Sequence, residues 1–164
     1  MPGSASARLQ RSAVLSRRRA AELYDRYGTA LYRQAYLTLG DQGQAEQVVC
    51  DVLVGECLRP AASPGRSPET GRCLAVAAYW RCRELAAPRT WQLRPAEAGP
   101  DATAMGCAGL PLLSGRERGT LALVLFGGLR CRQASQELAI PAAEMSALLR
   151  TAMRHLAGLP AGPA

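Results

Sequence analysis

The stretch GGLRCRQASQELAIPAAEMSALLR, Gly127 to Arg150, decides the fold. Two glycines break the chain, a short helical segment follows from Arg130 to Leu138, and Ala139-Ile140-Pro141 turns it into a longer helix ending near Gly158. A short helix, a tight turn and a longer helix have helix-turn-helix spacing. Yet PAAEMSALL, the leading end of the second helix, holds one acid and no base. The shape suits docking on nucleic acid, while the side chains at its leading end lack the usual cations.

Immediately upstream, Ser114 and Glu117 form an S-x-x-E capping box in front of RERGTLALVLF, which predicts another helix. The stretch between Pro88 and Pro111 holds Gly, Pro and Ala without periodicity and is expected to be a linker. Before it, AAELYDRYGTALYRQAYLTLG spaces Leu23, Tyr27, Leu31, Ala35 and Leu39 four apart, one face of an amphipathic helix that Gly40 ends. Asp41 with Gln44 resembles a capping box for the next helix, whose apolar stripe is Ala45, Val48, Val49, Val52 and Leu53. The short break predicts antiparallel neighbours. RPAASPGRSPETG reads as a loop, and a third helix is expected from about Arg72 to Ala87.

The expected fold is therefore all-α, with two small helical domains joined by a flexible linker. Residues 1–19 are expected to be a disordered basic tail, 20–90 the first domain, 91–109 the linker, 110–158 the helix-turn-helix domain and 159–164 a tail.

All positive charge is arginine, and the formal net charge is +7. It is unevenly spread: residues 1–19 carry +5, 20–58 carry −4, 59–98 carry +4 and 99–164 carry +2. Basic segments suit an anionic partner such as nucleic acid, whereas the acidic helical block suits a basic protein surface. No apolar run is long enough to span a membrane, so a soluble cytoplasmic protein is expected. Cys50, Cys57, Cys73, Cys82, Cys107 and Cys131 form no CxxC pair and have no His cluster beside them, so no metal site or disulfide framework is expected. They read as small buried hydrophobes in a reducing compartment. A single His, no nucleophile motif and no strand before Gly127-Gly128 argue against an enzyme, and no cofactor is indicated.

The segments ELYDRYGTALYRQAYLTLGDQGQAEQVVCDVL and LPLLSGRERGTLALVLFGGLRCRQASQELAIPAAEMSALLRTAMRHL resemble, in order, conserved regions two and four of the sigma-70 family in its short extracytoplasmic-function branch. The resemblance implies binding to core RNA polymerase through its beta-prime subunit and to promoter DNA at the minus-ten and minus-thirty-five elements, with an anti-sigma factor as a further candidate partner. Polymerase-binding positions carried over are Glu46, Gln47, Cys50 and Asp51. The family usually has an acid at Gln47 and Gln at Cys50, while the Val48-Val49 core persists.

On the minus-ten side, Tyr79 and Arg83 align with a familiar Asn and Asp. Tyr79 is a candidate for stacking on unpaired bases, and Arg66, Arg72, Arg81, Arg83 and Arg89 for contacting phosphates; Trp80, unable to share a helix face with Tyr79, is expected in the core. On the minus-thirty-five side the candidates are Arg130, Arg132, Glu144, Ser146 and Arg150. Pro141 and Met145 keep the family pattern, whereas Glu144 stands for a hydroxyl residue, Ser146 for Lys, Leu148 for Arg and Ala139 for the turn Gly. The reading that follows is a sigma-like initiation factor; the alternative is a degenerate sigma-like regulator that binds polymerase or another regulator without selecting promoters.

Overall fold

The computed structural model describes residues 17–59, 68–86, 91–92 and 112–157. Among them there is no strand, and the fold is all-α. Helical residues 17–23 lead into a π-helical turn, Tyr24–Gly28, and then into α1, Thr29–Leu39. The remaining helices are α2 (Gln42–Leu58), α3 (Pro68–Leu85), α4 (Gly115–Leu125), α5 (Cys131–Glu137) and α6 (Ala142–Leu156). Among the described residues no helix is long and apolar enough to cross a membrane.

The π-turn has a reason in the sequence. A strict four-residue spacing drifts about 40° per step around a helix of 3.6 residues per turn. Widening one turn over Tyr24–Gly28 lets Leu23 and Leu31 both reach the same core cluster, where each is 3% exposed. Gly40, at φ 74°, then closes α1 by donating its N–H to the Tyr36 carbonyl. Asp41 accepts from the Gln44 N–H at 2.7 Å and starts α2, a cap that contributes about 1 kcal/mol. At α4 the expected capping box is reciprocal: Glu117 N donates to Ser114 Oγ and Ser114 N donates to Glu117 Oε2.

Several boundaries differ from expectation. Residues 17–19, assigned to the basic tail, are helical, and Arg19 pairs with Glu56 at 3.4 Å; residues 1–16 and 158–164 lie outside the described set. Helix α3 starts at Pro68 and not at Arg72, because proline suits a first helical turn and Glu69 complements the helix dipole there. Trp91, placed in the linker, is buried and Gln92 beside it is exposed, while 93–109 are outside the described residues. The cysteines are not uniformly buried either. Cys82 is in the core, but Cys50 and Cys73 are exposed and Cys57 and Cys131 half-buried; Cys107 is outside the described residues.

The two helical sets share their cores. One cluster lies within the first set: Leu23, Leu31 and Ala35 against Val48, Val49 and Val52 of α2 and Leu74, Ala78 and Cys82 of α3. A second joins Ala75 and Tyr79 of α3 and Trp91 to Leu123, Leu129, Ala134, Leu138 and Met145. A third joins Leu37 of α1 to Leu113, Leu121, Ala122 and Ala152. Thus α3 uses two adjacent helical rows: Leu74, Ala78 and Cys82 face the first core, and Ala75 and Tyr79 the second. Helix α4 crosses this seam at Gly119, where an added Cβ would lie 2.9 Å from the Trp91 ring and 3.1 Å from Tyr79. The close approach of α4 to α3 needs a residue without a side chain there.

Candidate functional site

The α5–turn–α6 pair has the expected helix-turn-helix form. The Ile140 N–H donates to the Ser135 carbonyl at 3.0 Å, and Ser135 Oγ donates back to the Ile140 carbonyl at 2.7 Å. Ala139 sits between them at φ 52°, the left-handed region that favours glycine. Gln133 Oε1 accepts from the Arg130 N–H at 2.9 Å and caps α5. Met145 and Ala152 face inward, so the outward face of α6 is Ala143, Ala147, Arg150 and Arg154, all exposed. Arg130 and Arg132 are exposed at the start of α5, and among the described residues none of these four arginines forms an ion pair. Arg154 donates to Thr151 Oγ1 at 3.5 Å. Small side chains ahead of guanidinium groups that form no ion pair leave a face able to approach a duplex closely and contact phosphate.

Two sequence candidates lie elsewhere than expected. Ser146 is half-buried: its hydroxyl donates to the Ala142 carbonyl at 2.8 Å and lies 3.7 Å from Cys131 Sγ. Leu148 is also half-buried. Glu144 is exposed but held by Arg116 of α4 at 2.6 Å, so its charge is partly compensated within the molecule. Ala143 and Ala147 were missed as the leading face of α6. Their signal was the helical row they share with Arg150 and Arg154, hidden because alanine does not advertise exposure.

On α2, Glu46, Gln47, Cys50 and Asp51 are all exposed. Glu46 accepts from Gln42 Nε2 at 3.1 Å, and Asp51 pairs with Arg81 of α3 at 2.9 Å. The same side of the helix carries Val54, 56% exposed, and Leu58, 80% exposed. An apolar end on an otherwise polar strip is what a protein partner buries. These two residues also escaped sequence reading, although both fall off the buried Ala45, Val48, Val49, Val52 stripe.

The minus-ten candidates are not brought together on one face. Tyr79 is 3% exposed, edge-on to both Trp80 and Trp91 with ring centroids 5.4 Å apart in each case. Burial raises its pKa. A ring in that position cannot stack on a base, so the expected roles of the neighbouring aromatics are exchanged. Trp80 is the half-exposed one, with the Arg83 guanidinium over its ring at 5.1 Å. Arg81 bridges Asp51 and Glu84, each at 2.9 Å, and the bonds to Glu84 and then Asp51 hold its pKa up. Arg72 lies at the seam, 3.5 Å from Glu69 and 3.2 Å from Glu137 of α5. Arg66 and Arg89 lie outside the described residues.

No protein-family model matches the chain. Nor does any curated protein sequence match it.

Proposed function

We propose that this chain is a sigma-like transcription initiation factor of the cytoplasm. It engages core RNA polymerase through the exposed side of α2 and promoter DNA through α5 and α6. The observation that carries the reading is the helix-turn-helix whose outward face ends in exposed, unpaired arginines: Arg130 and Arg132 on one side, Arg150 and Arg154 on the other. Such groups position a protein on a duplex by phosphate contact and release counterions as they do so. The acidic strip with Val54 and Leu58 offers a separate surface for a basic protein partner, the polymerase beta-prime subunit in this reading. An anti-sigma factor would compete for the same strip.

A specific observation favours a second reading, a sigma-like regulator that binds polymerase without selecting promoters. The groups that would select sequence are engaged internally: Tyr79 in the core, Arg81 with Asp51, and Glu144 with Arg116. Run-off transcription by core polymerase on a pool of host promoter fragments separates the two. Enrichment of discrete start sites supports an initiation factor, and polymerase binding with no start-site selection supports the regulator.

A further inference from the structure

One row of α3 lies beneath the second helical set. Arg72 Nε is 3.2 Å from Glu137 of α5, a Cβ added at Gly127 would lie 3.0 Å from Ala75 Cβ, and one added at Gly119 would lie 3.1 Å from the Tyr79 ring. At spacings of three and four, Arg72, Ala75 and Tyr79 share one face of the helix. Under the sigma-like reading Arg72 and Tyr79 are two of the promoter-contact candidates, so the chain covers part of its own contact surface. The seam is neither fully packed nor fully satisfied. A cleft of about 700 Å³ separates Gln34 and Ala75 from Phe126 and Gln133. Gln34 Oε1 of α1 and Thr120 Oγ1 of α4, the helix that crosses the seam, are buried without a hydrogen-bond partner. Unpaired buried oxygens raise the free energy of a packed state relative to one in which water reaches them.

We propose that this packed arrangement is autoinhibited: the second helical set is a cover on the Arg72–Ala75–Tyr79 row and lifts off α3 as a body. Each set keeps a core when they part. Leu31, Val48, Leu74 and Cys82 pack within the first set, and Leu129, Ala134, Leu138 and Met145 within the second. The cover is held by Ala75, Tyr79 and Trp91 against Leu123 and by the Arg72–Glu137 pair. A seam that buries Gln34, Thr38 and Tyr79 beside these apolar groups has the mixed polarity of domain contacts that open and close. That the uncovered row contacts DNA rests on the sigma-like reading; that the sets part does not.

Cys82 and a thiol introduced by Ala75→Cys stand on the same helix, one in the first core and one beneath the cover. Labelling of the full-length chain with iodoacetamide, read by peptide mass spectrometry, is expected to modify position 75 about 10-fold faster than Cys82, because parting of the sets uncovers only the former. Thr120→Cys, nearly isosteric and equally buried on α4, is a second reporter and is expected to follow position 75. Val48→Ala weakens a contact that both the packed and the parted states retain. It is expected to speed labelling of Cys82 by about 5-fold and to leave position 75 unchanged. Glu137→Arg, which sets a cation against Arg72, weakens only the packed state and is expected to speed both by about 5-fold. Equal rates at the two reporters and Cys82, or acceleration of position 75 by Val48→Ala as large as that of Cys82, would overturn the proposal. The assay contains neither polymerase nor DNA, so its outcome is separate from that of run-off transcription.

Discussion

Arg116 of α4 holds Glu144 of α6 at 2.6 Å, so the acid at the leading end of the second helix is tied to the helix behind it. The pair is partly exposed on both sides, and its worth to stability is therefore small, within about 1 kcal/mol. Its consequence is for binding. Glu144→Gln releases a guanidinium next to the reading face and removes an acid that faces phosphate. Affinity for a short duplex, followed by fluorescence anisotropy, is expected to rise, and the plot of log K against log salt to steepen by about 0.9, one added phosphate contact.

The position of a new cation on α6 matters more than its presence. Ala147 is exposed on the row of Arg150 and Arg154, whereas Ser146 is packed against Cys131. Ala147→Arg is expected to strengthen duplex binding with little change in Tm. Ser146→Lys is expected to do less for binding and to lower Tm, because it forces a charged stem between α5 and α6. Equal gains from both variants in the anisotropy assay would show that α6 is oriented otherwise.

Ala139, at φ 52° in the turn, carries strain that glycine would not. A left-handed conformation costs an L-residue roughly 1–2 kcal/mol, and glycine's greater unfolded-state entropy returns about 0.5–1 kcal/mol of that gain. Ala139→Gly is therefore expected to stabilise by about 0.5–1 kcal/mol, read as a higher midpoint in urea with an unchanged m-value.

Much of this arrangement was legible in the sequence, and the exceptions share one physical cause. Periodicity predicted the Val48, Val49, Val52 stripe and the Ser114–Glu117 box because those features are settled within one helix and its immediate neighbour. It could not predict that Gln34, Thr38 and Tyr79 are buried, since their faces are covered only by the packing of the second helical set onto the first. Choosing between Tyr79 and Trp80 for the core likewise required knowing that α4 crosses α3 at Gly119. The α2 strip was visible as charge, but its apolar end at Val54 and Leu58 was not, because sequence does not say which side of a helix remains uncovered.

That seam also makes a pH prediction. Burial pushes the Cys82 thiol up from 9.0 to about 12 and raises Tyr79 above 10.0. Both groups hold their protons more tightly folded than unfolded. The stability they contribute is complete below pH 9, and that of Cys82 is lost as pH climbs from 9 to about 12. Each such group steepens the loss by about 1.4 kcal/mol per pH unit within its own window. Urea melts between pH 8 and 11 are expected to show this fall, and Cys82→Ala, though less stable at pH 8, is expected to show a shallower one.

The packing at Gly119 gives an independent check of the shared core. An added methyl there meets Trp91 and Tyr79 inside van der Waals distance. Gly119→Ala is expected to destabilise by about 1–3 kcal/mol despite alanine's better helix propensity. Near-UV circular dichroism from the displaced aromatic rings is expected to change with it. A neutral or stabilising result would mean that α4 does not cross α3 there.

Gel filtration of the purified chain with core RNA polymerase from its host, at moderate and at high salt, tests the central claim most directly. The chain is expected to co-elute at moderate salt, and Val54→Asp with Leu58→Asp to abolish co-elution while leaving Tm unchanged, since both side chains are exposed. Failure of the unaltered chain to co-elute at either salt would contradict the sigma-like reading.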